Sequence, residues 1–119
     1  MHLDALRDHC LARPGATEDL PFGPDTLVFK VGGKMFALAG LERMPPSVNL
    51  KCDPERAVEL REAYADVAPG WHMNKTHWNT VGLRGDVPDE VVRELVDHSY
   101  ALVVASLPAR VRAGLAGAN

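Results

Sequence analysis

The stretch Thr26-Leu27-Val28-Phe29-Lys30-Val31-Gly32-Gly33-Lys34-Met35-Phe36-Ala37-Leu38-Ala39 decides the fold. Two β-rich runs flank a Gly-Gly pair, and a two-residue hairpin turn needs the positive φ that glycine supplies. Taking Gly32-Gly33 as the turn fixes a register in which Leu27 faces Leu38, Phe29 faces Phe36 and Lys30 faces Met35. One side of the hairpin is then an apolar ladder, and the other carries charge.

Downstream of the connection 40–46, Ser47-Val48-Asn49-Leu50-Lys51-Cys52 alternates with Val48, Leu50 and Cys52 inward and Ser47, Asn49 and Lys51 outward. Lys30, Asn49 and Lys51 thereby share one exposed sheet face. Asp53-Pro54 opens a helix, an N-cap acceptor followed by proline where its missing N–H is harmless. That helix runs to about Tyr64 and buries Ala57, Leu60 and Tyr64. Ala68-Pro69-Gly70 breaks the chain before Trp71-His72-Met73-Asn74-Lys75-Thr76-His77-Trp78-Asn79. In one continuous strand Trp71 and Trp78 would point to opposite faces. A turn at Asn74-Lys75-Thr76, with Asn74 tolerating left-handed backbone, lets both indoles anchor one core. Thr80 to Arg84 continues as a strand. Asp86-Val87-Pro88-Asp89 then starts a long helix with acids at its positive end, carrying Val91, Val92, Leu95, Leu102 and Val103 to a stop near Pro108.

Upstream, residues 2–13 place Leu3, Leu6, Cys10 and Leu11 at helical spacing. Glu18 to Asp25 reads as an acidic surface loop tucked down by Phe22, and residues 109–119 as a frayed tail. The order is α-β-β-β-α-β-β-α in a single domain spanning 1–119. It describes an α+β two-layer sandwich, an antiparallel sheet with helices on one face.

A chain of 119 residues, 46% hydrophobic and 24% charged, can bury an ordinary core without disulfide or metal. Its net charge of -3 opposes any overall attraction to nucleic acid or anionic lipid, which leaves a local patch as the route to such a partner. Between Asp66 and Asp86 no acidic residue occurs, so Lys75, Arg84, His72 and His77 form a positive segment. Cys10 and Cys52 lack CxxC or Cys/His spacing and fit packing roles in a reducing cytoplasm. Neither a signal peptide nor a membrane span is expected.

No catalytic constellation is expected, because Ser99 and His98 are helix neighbours about 100° apart and cannot form a nucleophile–base bond. No metal or other cofactor is expected either: His72 and His77 have no third ligand at suitable spacing. Lys75, flanked by Asn74 and His77 at a turn, is the strongest anion-binding candidate. The other reading of Lys75 is a solvated turn lysine, or one paired with the Glu18-Asp19 loop.

Pro14-Gly15-Ala16-Thr17-Glu18-Asp19, Pro21-Phe22-Gly23, Val31-Gly32-Gly33-Lys34-Met35-Phe36, Leu50-Lys51-Cys52-Asp53-Pro54, His72-Met73-Asn74-Lys75 with His77-Trp78, and Ser99-Tyr100-Ala101-Leu102-Val103 together resemble the MmcQ/YjbR family. The resemblance covers nearly the whole chain. It implies a fold similar to the frataxin-like or secretion-chaperone-like two-layer sandwiches, and DNA binding by a double-wing arrangement. The wings would be the Gly32-Gly33 hairpin with Lys30 and Lys34, and the segment around Lys75, His77 and Arg84. This chain departs from the family pattern at Thr76, where a second cation is frequent, and at Trp71, where Tyr is common. The expectation is a small cytoplasmic binding protein contacting DNA backbone through Lys30, Lys34, Lys51, Asn74, Lys75, His77 and Arg84. Its alternative is a protein-interaction or chaperone-like module with no nucleic-acid role, in an oligomeric state left open.

Overall fold

The computed structural model describes residues 1–116. In chain order they form α1 (Leu3–Leu11), β1 (Thr17–Asp19), β2 (Thr26–Val31), β3 (Lys34–Gly40), β4 (Ser47–Lys51), α2 (Pro54–Ala63), β5 (Val67–Pro69), β6 (Trp78–Gly82), α3 (Asp89–Ala105) and α4 (Ala109–Ala116). The strands make one antiparallel sheet in the order β1-β2-β3-β4-β6-β5. Leu6 and Cys10 of α1, Ala57 and Leu60 of α2, and Val92, Leu95, Val96 and Val103 of α3 share one core with Phe29, Val48, Leu50 and Val81 of the sheet. The α+β class and the antiparallel sheet under helices are those expected. Among the described residues no helix is long and apolar enough to cross a membrane.

The β2–β3 hairpin turns at Gly32 and Gly33, with φ of 58° and 80°. Leu107 packs onto this turn so closely that a Cβ on Gly32 would lie 2.6 Å from its Cδ1. Lys30 pairs with Met35 as the turn predicts, but beyond that point the register differs from expectation. Phe29 pairs with Ala37, Val28 with Leu38 and Leu27 with Ala39. Phe36 is one extra residue in β3, a β-bulge, and a one-residue slip exchanges the faces of everything beyond it. Phe36, Ala37 and Ala39 therefore enter the helix-covered core, while Val28 and Leu38 are buried outside it.

Ser99 of α3 secures the bulge. Fully buried, its hydroxyl donates to the Phe36 carbonyl at 2.6 Å and accepts from the Lys51 N–H at 2.9 Å. These are the main-chain groups left over where the regular β3–β4 pairing, Ala37–Leu50 to Ala39–Val48, ends. One side chain thus ties α3 to two strands and satisfies a donor and an acceptor that would otherwise be buried unpaired. The neighbouring Tyr100 donates to the Pro14 carbonyl and packs edge-on against Phe36.

Two elements extend the expected order. Thr17–Asp19, of which Glu18 and Asp19 belong to the expected acidic loop, form the edge strand β1, held to α1 by two bonds from Arg7 to Glu18 at 2.6 and 2.5 Å. Residues 109–116, assigned to a frayed tail, form α4: the Pro108 carbonyl accepts from Val111 and Arg112, and Leu115 packs against the core. Pro108 separates two helices and does not end the fold; residues 117–119 of the expected tail lie outside the described residues. Farther along, the strand after α2 is Val67–Pro69 and the Trp/His stretch is a loop returning to β6.

Asp53 caps α2 through bonds from the Glu55 and Arg56 N–H groups. Its own N–H donates to His98 Nε2 at 3.2 Å. Burial, with the Arg56 charge adding to it, lowers the His98 pKa below 6.5. The nitrogen can accept only while unprotonated.

Two stability predictions follow from these contacts. Ser99→Ala should destabilise by about 1–3 kcal/mol, because it strands two buried main-chain groups, and a urea midpoint change equivalent to less than about 0.5 kcal/mol would count against the bridge. For His98, the unfolded chain binds more protons than the folded one as pH falls below about 6.5. Stability should therefore be fully present above that value, decline through the window between it and the lower folded pKa, and level off beneath. Melting curves of the native protein and His98→Gln should diverge within that window, and parallel curves would remove His98 as the source.

Candidate functional site

The sheet face away from the helices carries the rows Thr26–Gly40, Val28–Leu38–Asn49–Thr80 and Lys51–Trp78, as the strand registers require. Folded over this face is the loop 70–77. At its root Gly70 donates to the Trp78 carbonyl at 2.7 Å. A Cβ on Gly70 would meet that oxygen at 2.8 Å, so the approach requires glycine.

Trp71 is fixed through its backbone. The Asn49 side-chain amide donates to the Trp71 carbonyl at 3.1 Å, and the Trp71 N–H donates to the Thr80 hydroxyl at 2.9 Å. That hydroxyl in turn donates to Asn49 Oδ1 at 2.6 Å, closing a ring of polar contacts over β4 and β6. His72, immediately after the clamp, has φ of 60°, an uncommon backbone state for a residue with a Cβ. The indole itself is 47% exposed, stacked 4.9 Å from the His72 ring, with the Arg43 guanidinium 3.3 Å from its centroid. Neither tryptophan enters the core expected to hold both: Trp71 is exposed, and Trp78 of β6, half-buried, lies on the open face opposite Lys51.

Between this loop and Phe22 lies a cradle of about 360 Å³, lined by Leu38, Met35, Met73, Trp71, Phe22, Arg43, His72, Asn49, Ser47, Thr26 and Gly40. Its floor is apolar because the β3 bulge turns Leu38 to this face. The lining contains a guanidinium and an imidazole and no carboxylate, although the chain is net negative. Phe22, expected to tuck its loop down, is 64% exposed at the cradle's edge.

The sequence candidates fall differently. Lys30 lies on the open face with its ammonium 3.6 Å from Asp19. Lys51 lies on the same face opposite Trp78, without an ion pair among the described residues. Lys34, beside the turn, reaches Ser106 Oγ at 3.4 Å. Asn74 is a turn former: its Oδ1 accepts from the Thr76 N–H at 2.9 Å and its carbonyl from His77 and Trp78. The left-handed residue of the loop is His72, not Asn74. Lys75 does not extend freely from the turn, because its ammonium donates to the Gly70 carbonyl at 3.2 Å, across its own loop. Nor does it pair with the acidic loop, where Glu18 holds Arg7 and Asp19 holds Lys30. His77 has an exposed side chain, and its carbonyl accepts from Cys52. Arg84 follows β6 at the sheet end opposite the hairpin turn, near Met44 and Pro46. The structure thus brings Lys30 and Lys51 onto the cradle's face, and places Arg84 beside Arg43, with which it lines a neighbouring hollow that includes Ser47 and Thr80.

Arg43, Asn49, Trp71, His72 and Thr80 were missed as a site. The one available signal was the outward alternation of Asn49 in β4, which points an amide toward whatever covers that face. A test of the clamp is Asn49→Ala, which should speed hydrogen exchange at the Trp71 amide, whereas Trp71→Ala should change stability by less than about 1 kcal/mol. Unchanged protection of that amide would show the loop to be held by something else.

Comparison with known proteins adds the lineage. The YjbR family model matches residues 11–102. The Escherichia coli (strain K12) protein YjbR is 38% identical over 112 residues, 94% of this chain and 95% of that protein. YbdF of Escherichia coli O157:H7 is 41% identical over 90 residues, 76% and 74% of the respective chains. Among solved structures, the Deinococcus radiodurans protein DR2400, described by the family-model domain DUF419, superposes with a TM-score of 0.90 at 43% identity, covering 96% of this chain and 87% of its own. A Pseudomonas syringae protein superposes with a TM-score of 0.75 at 28% identity, covering 86% and 98%. With a family model spanning most of its length and the strain K12 YjbR aligned nearly end to end, the chain belongs to the YjbR family.

Proposed function

We propose that the protein is a binding protein with no catalytic step, and that it holds a nucleic-acid strand across the open face of its sheet. The observation that carries this reading is the exposed, backbone-clamped Trp71 beside Arg43 in a cradle without carboxylates, with Lys51 and Lys30 on the same face. Single-strand binders combine these parts, an aromatic platform for bases and cations for the backbone. The absence of a catalytic step is supported by the state of the nucleophiles. Ser99 has both hydroxyl contacts committed, Cys10 is pushed up to about 12 by burial, and burial also raises Cys52.

The site differs from a double-wing contact. Lys30, Lys34 and Lys75 engage partners within the protein, which leaves Arg43, Lys51 and Arg84 to meet phosphates. A protein partner is the second reading, favoured by the exposed apolar side chains Leu20, Phe22, Leu41 and Met44.

Salt separates the two. With three cations and about 0.7 counterions released per single-strand phosphate, log K for an oligonucleotide should fall with log[salt] at a slope no steeper than about -2. Lys51→Ala should make it shallower by nearly one contact's worth. Fluorescence anisotropy of a labelled single strand measures both. No binding at low salt would eliminate the nucleic-acid reading, and salt-independent binding of a protein would favour its rival.

A further inference from the structure

We propose that the cradle is a site for one nucleotide unit, its planar ring seated on Trp71 above Leu38 and Met35 and its phosphate taken by Arg43 and His72. The inference rests on the reading of the open face as the working surface, and names what enters the cavity there.

Size, polarity and charge agree. A cavity of about 360 Å³ lies within the range of small-molecule sites. Leu38, Met35 and Met73 give it an apolar bed, which suits the face of a ring. The Arg43 guanidinium and the His72 imidazole stand at the wall, where an anionic substituent on that ring would lie. The indole itself is already in place, since Asn49 and Thr80 hold its backbone, and the group that must move to admit a ring is the Arg43 guanidinium lying over it. Such preorganisation reduces the ordering that binding must impose.

Arg43 explains how phosphate enters the recognition. In the free protein its guanidinium covers the indole at 3.3 Å, the place a stacked base would occupy. A base arriving there displaces it, and the freed guanidinium closes on the phosphate with two donors. His72 is stacked on the same indole, 4.9 Å from it, and lines the cradle with Arg43. A nucleoside displaces Arg43 without giving it a new partner. The site should therefore prefer the phosphorylated form, and that preference should reside in Arg43.

The cradle would accept the same chemistry from a free nucleotide or from an unpaired nucleotide within a strand. The experiment titrates the ¹⁵N-labelled protein with adenosine 5′-monophosphate, adenosine, inorganic phosphate and an oligo-deoxyadenylate, following the Trp71 indole N–H resonance. The monophosphate should move it at lower concentration than adenosine, and inorganic phosphate should leave it unmoved. Arg43→Ala should remove the preference, weakening the monophosphate by about tenfold while leaving adenosine unchanged or tighter. Trp71→Ala, followed through the backbone amides of Met35 and Leu38 in the cradle, should bind neither. The Arg43 and Trp71 side chains are both exposed, so unchanged melting temperatures confirm that the variants fold.

No response of Trp71 to the monophosphate overturns the site, as does a phosphate preference that survives Arg43→Ala. If the oligonucleotide binds through Lys51 and Arg84 while the monophosphate does not, the nucleotide site falls and the strand-binding reading stands. If the monophosphate binds and the oligonucleotide does not, strand binding falls and the cradle is a free-nucleotide site.

Discussion

The bulge at Phe36, held by the Ser99 hydroxyl, is the constraint on which the two faces of the sheet depend. A regular hairpin would send Leu38 into the helix-covered core. With one extra residue in β3, Ala37 and Ala39 take the places facing the core, and Leu38 turns outward. Small side chains in the central strand let α3 approach closely enough for a serine to reach main-chain atoms of two strands. A bulge leaves ladder groups unpaired, and an unpaired buried carbonyl costs about as much as a lost hydrogen bond. The serine makes the irregular register tolerable, and the irregular register brings the serine's partners within reach.

Much of this architecture was legible in the residues. Gly32-Gly33 marked the hairpin, Asp53-Pro54 marked the start of α2, and clean alternation marked β4, because each is local chemistry. The bulge was not legible, since Phe36-Ala37-Leu38-Ala39 is apolar throughout and a period of 2 cannot be phased on a run without polar members. Nor was β1: Thr17, Glu18 and Asp19 are all exposed and carry no buried face to betray a strand. Their order comes from pairing with β2 and from the Arg7–Glu18 contact, both distant in sequence. For α4 the composition misled, because an Ala/Gly/Arg-rich segment after proline has the look of an ending, while the half-buried Val111 and Leu115, four apart, fall on one helical face.

The candidate site was less legible than the fold for a related reason. A run without acids between Asp66 and Asp86 promised one positive surface, but proximity in sequence does not gather side chains on one face. Lys75 satisfies a carbonyl inside its own loop, and Arg84 emerges at the far end of β6. The guanidinium beside Trp71 comes from Arg43, in the connection between β3 and β4, which carries no motif. Default expectations placed Trp71 in the core because large aromatic rings usually contribute to it. Its position is set by backbone bonds, accepted from the Asn49 amide and donated to the Thr80 hydroxyl, which no property of the indole encodes.

The open face would be expected to be wet and polar in a sheet covered by helices on one side only. Here the bulge delivers Leu38 to it, beside its strand partner Val28, and apolar groups in the middle of a sheet face require cover. Phe22 stands at one side of the cradle and Trp71 at the other, each carried by a loop at a different part of the sheet. Neither loop crosses fully, so the gap between them keeps an apolar floor and acquires walls that end in polar and cationic groups. The strained backbone at His72 fits this account: the loop must reverse at once after Trp71 is clamped, or its remaining residues would fill the gap. A left-handed residue at that point turns the chain back toward the Asn74 turn and the start of β6, and the cavity stays open.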